Sequence, residues 1–335
     1  MTDEATLLVG HGSTREQSNE QVEVVASLLD DRIDPPVETG FIELTEPLLP
    51  EALEEIAARV DELTVVPLAL FAAGHVKNDI PLAIQQARRN HEDVEINGGA
   101  PIGVSPSMVE LVDDRIAEAE ADLGIDREAD DVAVAFCARG SSDPDANADA
   151  YKLGRLLYEG RAFARVETTF IGITEPLLDE TLESVALHDP DAVVVVPYML
   201  GDGVLTQRIA DWTAAFAEGR DLVAGTTDVI GTDPRLIDVL ERRWREAREE
   251  EVTMSCDTCK YKVSLEGYEE EVGGEKALEE AIVHQYAHAH GGQGHDHGGD
   301  GHDHGGHDHG HGHDHGGHDH EHGGHDHEHG HNHGN

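Results

Sequence analysis

Three short motifs occur twice along this chain, in the same order and at nearly constant separation. The first set reads Leu7-Leu8-Val9-Gly10-His11-Gly12-Ser13, then Phe41-Ile42-Glu43-Leu44-Thr45-Glu46-Pro47-Leu48-Leu49, then Val65-Val66-Pro67. The second reads Ala135-Phe136-Cys137-Ala138-Arg139-Gly140-Ser141, then Phe170-Ile171-Gly172-Ile173-Thr174-Glu175-Pro176-Leu177-Leu178, then Val195-Val196-Pro197. The offsets are 128 residues from Gly12 to Gly140, 129 from Phe41 to Phe170 and 130 from Val65 to Val195. An internal repeat of this length makes the chain two diverged copies of one folding unit.

Each copy alternates short apolar runs with amphipathic segments of helical period. In the first, the runs are Thr6–Val9, Thr39–Leu44, Leu63–Leu70 and Val94–Ile96. The segments between and after them are Gln17–Leu29, Leu48–Val60, Ile80–Arg89 and Ser107–Leu123. The second copy repeats the runs at Val132–Cys137, Val166–Ile173, Ala192–Met199 and Leu222–Ile230. Apolar strands joined by crossover helices predict a parallel sheet covered on both faces. The expected fold is therefore α/β: two tandem doubly wound, flavodoxin-like parallel-sheet domains of about four strands each, meeting near Gly124–Asp131. Ligands of such sheets bind beyond the carboxyl ends of the strands, where the repeated motifs fall.

Charge and cysteine content narrow the setting. The chain has 70 Asp and Glu against 23 Lys and Arg, a formal net charge of −47. The acids are spread through the body, as in Glu54-Glu55, Asp113-Asp114 and Asp130-Asp131, which argues against nucleic acid or an anionic membrane as partner. An even acidic coat fits a halophilic cytoplasm, where salt screens the self-repulsion. Three cysteines, Cys137, Cys256 and Cys259, make no disulfide framework. No signal peptide or membrane-spanning run is apparent, so the expected location is cytoplasmic.

The first copy carries the candidate chemistry. His11 follows the first strand between two glycines, which let the backbone turn sharply and leave the imidazole uncovered. His75 follows the third strand, also after a glycine, and Glu43 lies near the end of the second. If strands one and three are neighbours, two imidazoles and a carboxylate share one edge. That donor set suits Co²⁺, Ni²⁺, Fe²⁺ or Zn²⁺, and a neutral imidazole can also take a proton near neutral pH. In the second copy His11 aligns with Arg139, Glu43 with Gly172, and the Gly74-His75 region with Gly201-Asp202-Gly203-Val204. A histidine serving only the frame would more naturally persist in both copies, so one active and one degenerate half is the better account.

With these motifs together, residues 5–250 resemble the class II tetrapyrrole chelatases, and among them the long-form, two-repeat sirohydrochlorin cobaltochelatases of the CbiX kind. The resemblance implies ATP-independent insertion of Co²⁺ into sirohydrochlorin on the anaerobic, early-cobalt route to cobalamin. It implies that His11, Glu43 and His75 bind the metal and help remove the pyrrole protons, with the tetrapyrrole held between the halves. Ser13, Arg15, Lys77 and Arg139, with Arg208 as a further candidate, stand next to the motifs as groups for the substrate carboxylates. Where members of the family often carry a further histidine, this chain has Ser105. The expected organisation is an N-terminal repeat with the active site (1–126), a degenerate repeat (127–250), an extension (251–287) and a tail (288–335).

The extension contains Met254-Ser255-Cys256-Asp257-Thr258-Cys259. A Cys-x-x-Cys pair serves as a redox dithiol, or as half of a zinc or iron–sulfur site completed by a second subunit, by tail histidines or by Cys137. The resemblance raises the cluster reading, and completion by a second subunit makes a homodimer an open possibility. The tail from His288 holds 19 of the 24 histidines, mostly in Gly-His-Asp-His repeats, a composition expected to be disordered when free of metal. Its imidazoles suit additional divalent metal for storage or delivery. The competing functions are a sirohydrochlorin ferrochelatase for sirohaem, a non-catalytic cobalt or nickel storage and delivery protein, and a histidine phosphatase. The last requires an arginine where Gly10 stands.

Overall fold

The computed structural model describes residues 3–249, which form two parallel four-stranded sheets with helices on both faces. The first half runs β1 (Glu4–Gly10), α1 (Glu16–Asp30), β2 (Val37–Phe41), α2 (Leu49–Ala57), β3 (Glu62–Pro67), α3 (Ile80–Asn90), β4 (Glu95–Gly98) and α4 (Pro106–Leu123). The second runs β5 (Val132–Ala138), α5 (Pro144–Tyr158), β6 (Arg165–Phe170), α6 (Leu178–Ala186), β7 (Ala192–Pro197), α7 (Val204–Ala217), β8 (Val223–Thr226) and α8 (Pro234–Glu249). Strand orders are β2-β1-β3-β4 and β6-β5-β7-β8, all parallel. The apolar runs read as near-continuous because alternate residues serve opposite faces. Leu7 and Val9 pack with Leu53 and Ile84, whereas Leu8 packs with Val25 and Leu29 on the other side.

Each half buries an apolar cluster of its own on one face of its sheet, and the other faces share a third. The largest apolar cluster joins Leu8, Val66, Ile102 and Val112 of the first half to Val134, Val194, Leu236 and Leu240 of the second. The terminal helices cause this, because each packs on the other half's sheet: α4 against β7 and β8, and α8 against β3 and β4. Polar contacts fix the exchange. Trp244 Nε1 donates to Thr6 Oγ1 at 3.0 Å, and Arg248 reaches Glu4 at 2.9 Å and Glu62 at 3.1 Å. In return, Asp114 of α4 pairs with Arg235 at 2.5 Å, and Arg115 Nε donates to the Val229 carbonyl at 3.3 Å.

Two further departures from the sequence reading lie at the carboxyl edge. The runs expected as strands to Leu44 and Ile173 stop at Phe41 and Phe170. Beyond them Leu44 (φ 63°) and Ile173 (φ 72°) enter the left-handed region. Each closes a γ-turn, with Thr45 N donating to Glu43 O and Thr174 N to Gly172 O, both at 2.8 Å. Such conformations cost about 1–3 kcal/mol each for residues other than glycine. The second departure is unique to the first half, where a π-helical turn, His75–Asp79, precedes α3. Leu70 and Leu200 are equivalent at an offset of 130, whereas Gly98 and Thr226 are equivalent at 128. Two extra residues therefore lie between them, in the stretch holding the π-turn, a feature often found at functional sites.

Candidate metal centre

In the order β2-β1-β3-β4 the chain moves outward from β1 to β2 and then crosses back to β3, so β1 and β3 flank the topological switch point. His11 leaves β1, His75 follows the loop after β3, and Glu43 lies two residues past β2. The edge gathers all three, with one ligand atom of each lying within 4.8 Å of the others. The two imidazoles meet edge to face, with centroids 4.9 Å apart and planes at 88°. His11 Nδ1 lies 3.6 Å from Glu43 Oε1. Gly12 makes this convergence possible. Its φ is +93°, and a Cβ there would overlap the Glu43 carbonyl oxygen, so only glycine lets the two loops approach.

Each imidazole is held through Nδ1. His11 Nδ1 lies 3.2 Å from the Gly12 carbonyl, and His75 Nδ1 lies 2.5 Å from Asp79 Oδ2. If Nδ1 carries the proton in both, each Nε2 keeps its lone pair for an ion. Burial, then the neighbouring His75, hold the His11 imidazole below its ordinary pKa, which favours this neutral form. Asp79 is itself buried and receives Asn78 Nδ2 on its other oxygen at 3.0 Å. The π-turn puts it four residues after His75, within reach of the ring. The His75-x-x-x-Asp79 spacing is the sequence signal for this contact. Asp79→Ala is expected to weaken Co²⁺ binding by about 10–100-fold, measured by calorimetric titration, with Asp79→Asn losing less. Unchanged affinity in both variants would remove Asp79 from the site.

A polar frame supports the loops. Thr45 Oγ1 donates to the Ser13 carbonyl at 3.0 Å and receives Asn19 Nδ2 at 2.9 Å. Ser13 Oγ accepts the Arg15 backbone N–H at 3.1 Å, which commits this hydroxyl to the start of α1. A cavity of about 160 Å³ opens beside His11, lined by Gln21, Leu68, Leu200 and Asp202, so it spans both halves. Gln21 closes part of the seam by donating to the Leu200 carbonyl at 2.7 Å.

The expected cations divide sharply. Lys77 is drawn into the seam, its ammonium 3.0 Å from Asp143 and 2.8 Å from Asp145 and its side chain only 5% exposed. It joins the halves, and its charge is taken up by two carboxylates. Arg15, Arg139 and Arg208 are exposed and form no ion pair among the described residues. Most other arginines in this acidic chain are paired. Arg139 occupies the place that His11 holds in the first half, and its charge is felt at His11. Ser105 is buried and caps α4 by accepting Met108 N–H at 3.4 Å. Cys137 is fully buried and its thiol is pushed up to about 12, so it supplies no thiolate. Cys256, Cys259 and the histidine-rich tail lie outside the described residues.

A duplicated parallel α/β body with one His–His–Glu cluster is the architecture of a chelatase-like metal-handling protein. The CbiX family model matches residues 5–119 and again 133–247. The chain belongs to the CbiX family, as a two-repeat member. It is 35% identical over 263 residues to the sirohydrochlorin cobaltochelatase of Priestia megaterium, covering 78% of this chain and 85% of that protein. Identity to the sirohydrochlorin ferrochelatase of the same organism is 31% over 210 residues, covering 62% and 77% respectively. Among solved structures, SirB from Bacillus subtilis with Fe³⁺ superposes with a TM-score of 0.66 at 28% identity, covering 74% of this chain and 96% of SirB.

Proposed function

We propose that this chain is a sirohydrochlorin cobaltochelatase, a lyase-class enzyme that inserts Co²⁺ into sirohydrochlorin for cobalamin synthesis without ATP. The observation that carries the reading is the His11–Glu43–His75 cluster, the one such group among the described residues, present in one copy of a duplicated frame and facing a seam between the copies. The higher identity to the cobaltochelatase than to the ferrochelatase supports cobalt over iron.

In this reading His11 and His75 bind Co²⁺ through Nε2 and Glu43 through its carboxylate. Three protein ligands leave coordination positions for the pyrrole nitrogens. As the ion moves to the macrocycle, two N–H protons must leave it. The vacated His11 imidazole, neutral by burial, accepts one. His75 accepts the other, with Asp79 placed to stabilise the imidazolium. A dication leaves the site as two protons enter, so neither the site nor the macrocycle changes net charge, and no large desolvation term opposes the exchange. Arg139 and Arg15 are free to meet the carboxylate rim. The first repeat (1–126) supplies the chemistry, and the second (127–250) supplies the opposite wall.

The remaining assignments extend this reading. Cys256 and Cys259 are proposed to hold an iron–sulfur cluster, and the tail from His288 to hold divalent metal for the cleft. The acidic coat is read as adaptation to a salt-rich cytoplasm. Among the described residues no helix is long and apolar enough to cross a membrane.

Anaerobic incubation with sirohydrochlorin and equal Co²⁺, Fe²⁺ or Ni²⁺ tests the function through the tetrapyrrole absorption spectrum. The expected result is fastest insertion with Co²⁺. Faster Fe²⁺ insertion would favour the ferrochelatase, and no insertion of any ion would end the chelatase reading.

A further inference from the structure

Two large apolar side chains stand in water at equivalent places in the two halves. Leu44 is 62% exposed and Ile173 is 66% exposed. Each is the tip of a γ-turn with φ of 63° and 72° respectively, a conformation that suits glycine or asparagine and disfavours a β-branched residue most. The surface of this chain is dominated by carboxylates, with 70 acids in the sequence. Two strained, exposed aliphatic tips are therefore costly in two independent ways. The residue before each tip has diverged, Glu43 in one half and Gly172 in the other, yet the aliphatic tip remains in both. Metal binding alone does not explain its presence.

The position of the turns supplies a reason. Leu44 directly follows the proposed ligand Glu43, whose backbone N–H is bonded to the His11 carbonyl at 3.0 Å. Ile173 stands next to the corresponding loop, where Ile171 N–H bonds the Ala138 carbonyl at 3.0 Å, one residue before Arg139. The carboxyl edges of both sheets face the same seam, bridged by Lys77 to Asp143 and Asp145 and by Gln21 to Leu200. A regular strand end buries alternate side chains in the sheet's own layers. A positive-φ turn instead throws its central side chain outward.

We propose that Leu44 and Ile173 are a pair of apolar grips, one from each half, that hold the flat conjugated face of the tetrapyrrole over the metal centre while arginines meet its anionic rim. The assignment rests on the chelatase reading and adds residues that determine how the substrate is placed. The strain of the turns is tolerated because it is the means of presenting apolar surface at a polar edge.

The test separates conformation from contact. Leu44→Gly, Ile173→Gly and the double variant relieve the positive φ, and each single change is expected to raise the thermal midpoint by about 2 °C. Leu44→Asn and Ile173→Asn keep the turn and remove the apolar surface. In full-length protein, titration with metal-free sirohydrochlorin is expected to show about tenfold weaker binding for each single variant of either kind. Co²⁺ affinity of the Ile173 variants is expected to be unchanged, since that half supplies no ligand. Leu44→Met and Ile173→Leu should restore tetrapyrrole affinity. Parent-like binding in the double glycine variant, with insertion intact, would overturn the proposal and leave the chelatase reading standing. Loss of stability together with affinity would assign the side chains to the fold and overturn it as well. A parent protein that binds no sirohydrochlorin would remove both readings.

Discussion

Replacing His11 or His75 with alanine is expected to lower cobalt insertion by more than about a hundredfold, because each removes one of the three proposed ligands and one proposed proton acceptor. The fold should survive in both variants, since the two side chains remain 38% and 32% exposed at the sheet edge. The stability costs should nevertheless differ. His11 Nδ1 meets the Gly12 carbonyl and lies 3.6 Å from Glu43, whereas His75 partners the buried Asp79, so His75→Ala removes one partner of a buried carboxylate and costs about 1–3 kcal/mol. His91→Ala is the control: it pairs with Glu54 at 2.9 Å, away from the cluster, and should insert cobalt as the parent does. Circular dichroism and single-turnover insertion, run on the same samples, decide the matter. Retained turnover in His11→Ala, or collapse of its fold, would withdraw that residue from the chemistry.

The second large effect concerns stability at a distance. A chain ending at Asp233 lacks α8 but keeps every residue of the first sheet and of the metal centre. It should nonetheless fail to fold its first half. Leu236, Ile237, Val239 and Leu240 are each at most 2% exposed, and they cover the face of the first half's sheet. At about 1.5–3 kcal/mol per side chain their loss removes roughly 6–12 kcal/mol, comparable to the whole stability of an ordinary domain. Trp244 and Arg248 would also leave Thr6, Glu4 and Glu62 without their partners. A chain ending at Val283 keeps α8 and should unfold cooperatively and insert Co²⁺ supplied in excess. Urea unfolding followed by tryptophan-independent circular dichroism compares the two. A native-like transition from the chain ending at Asp233 would show that the halves are separate domains after all.

The parallel class of the sheets and the neighbourhood of the first and third strands were legible because the apolar runs are short, repeated and separated by amphipathic segments; the full order β2-β1-β3-β4 was not. The histidines were legible because glycines and strand ends mark where a parallel sheet offers its side chains. Lys77 shows the limit of that reasoning. Its place two residues after His75 suggested a substrate cation, but two aspartates of the other half, Asp143 and Asp145, capture it. Sequence proximity carries no information about a partner at a separation of 66 residues or more. Asp79 shows the reverse. A lone aspartate before a helix reads equally well as a cap, and only the π-turn shows that it meets the imidazole.

The sequence by itself determined the duplication, the class of sheet, the edge at which the repeated motifs fall and the asymmetry that leaves His11, Glu43 and His75 in one copy only. Those follow from local rules: strand period, turn chemistry and the comparison of two copies that share a frame. Tertiary structure alone decided which half each terminal helix stabilises, which cations remain free, how each imidazole is oriented, and that Leu44 and Ile173 point into water. Each of these depends on contacts between segments far apart in the chain, where burial and charge pairing override what a short stretch prefers.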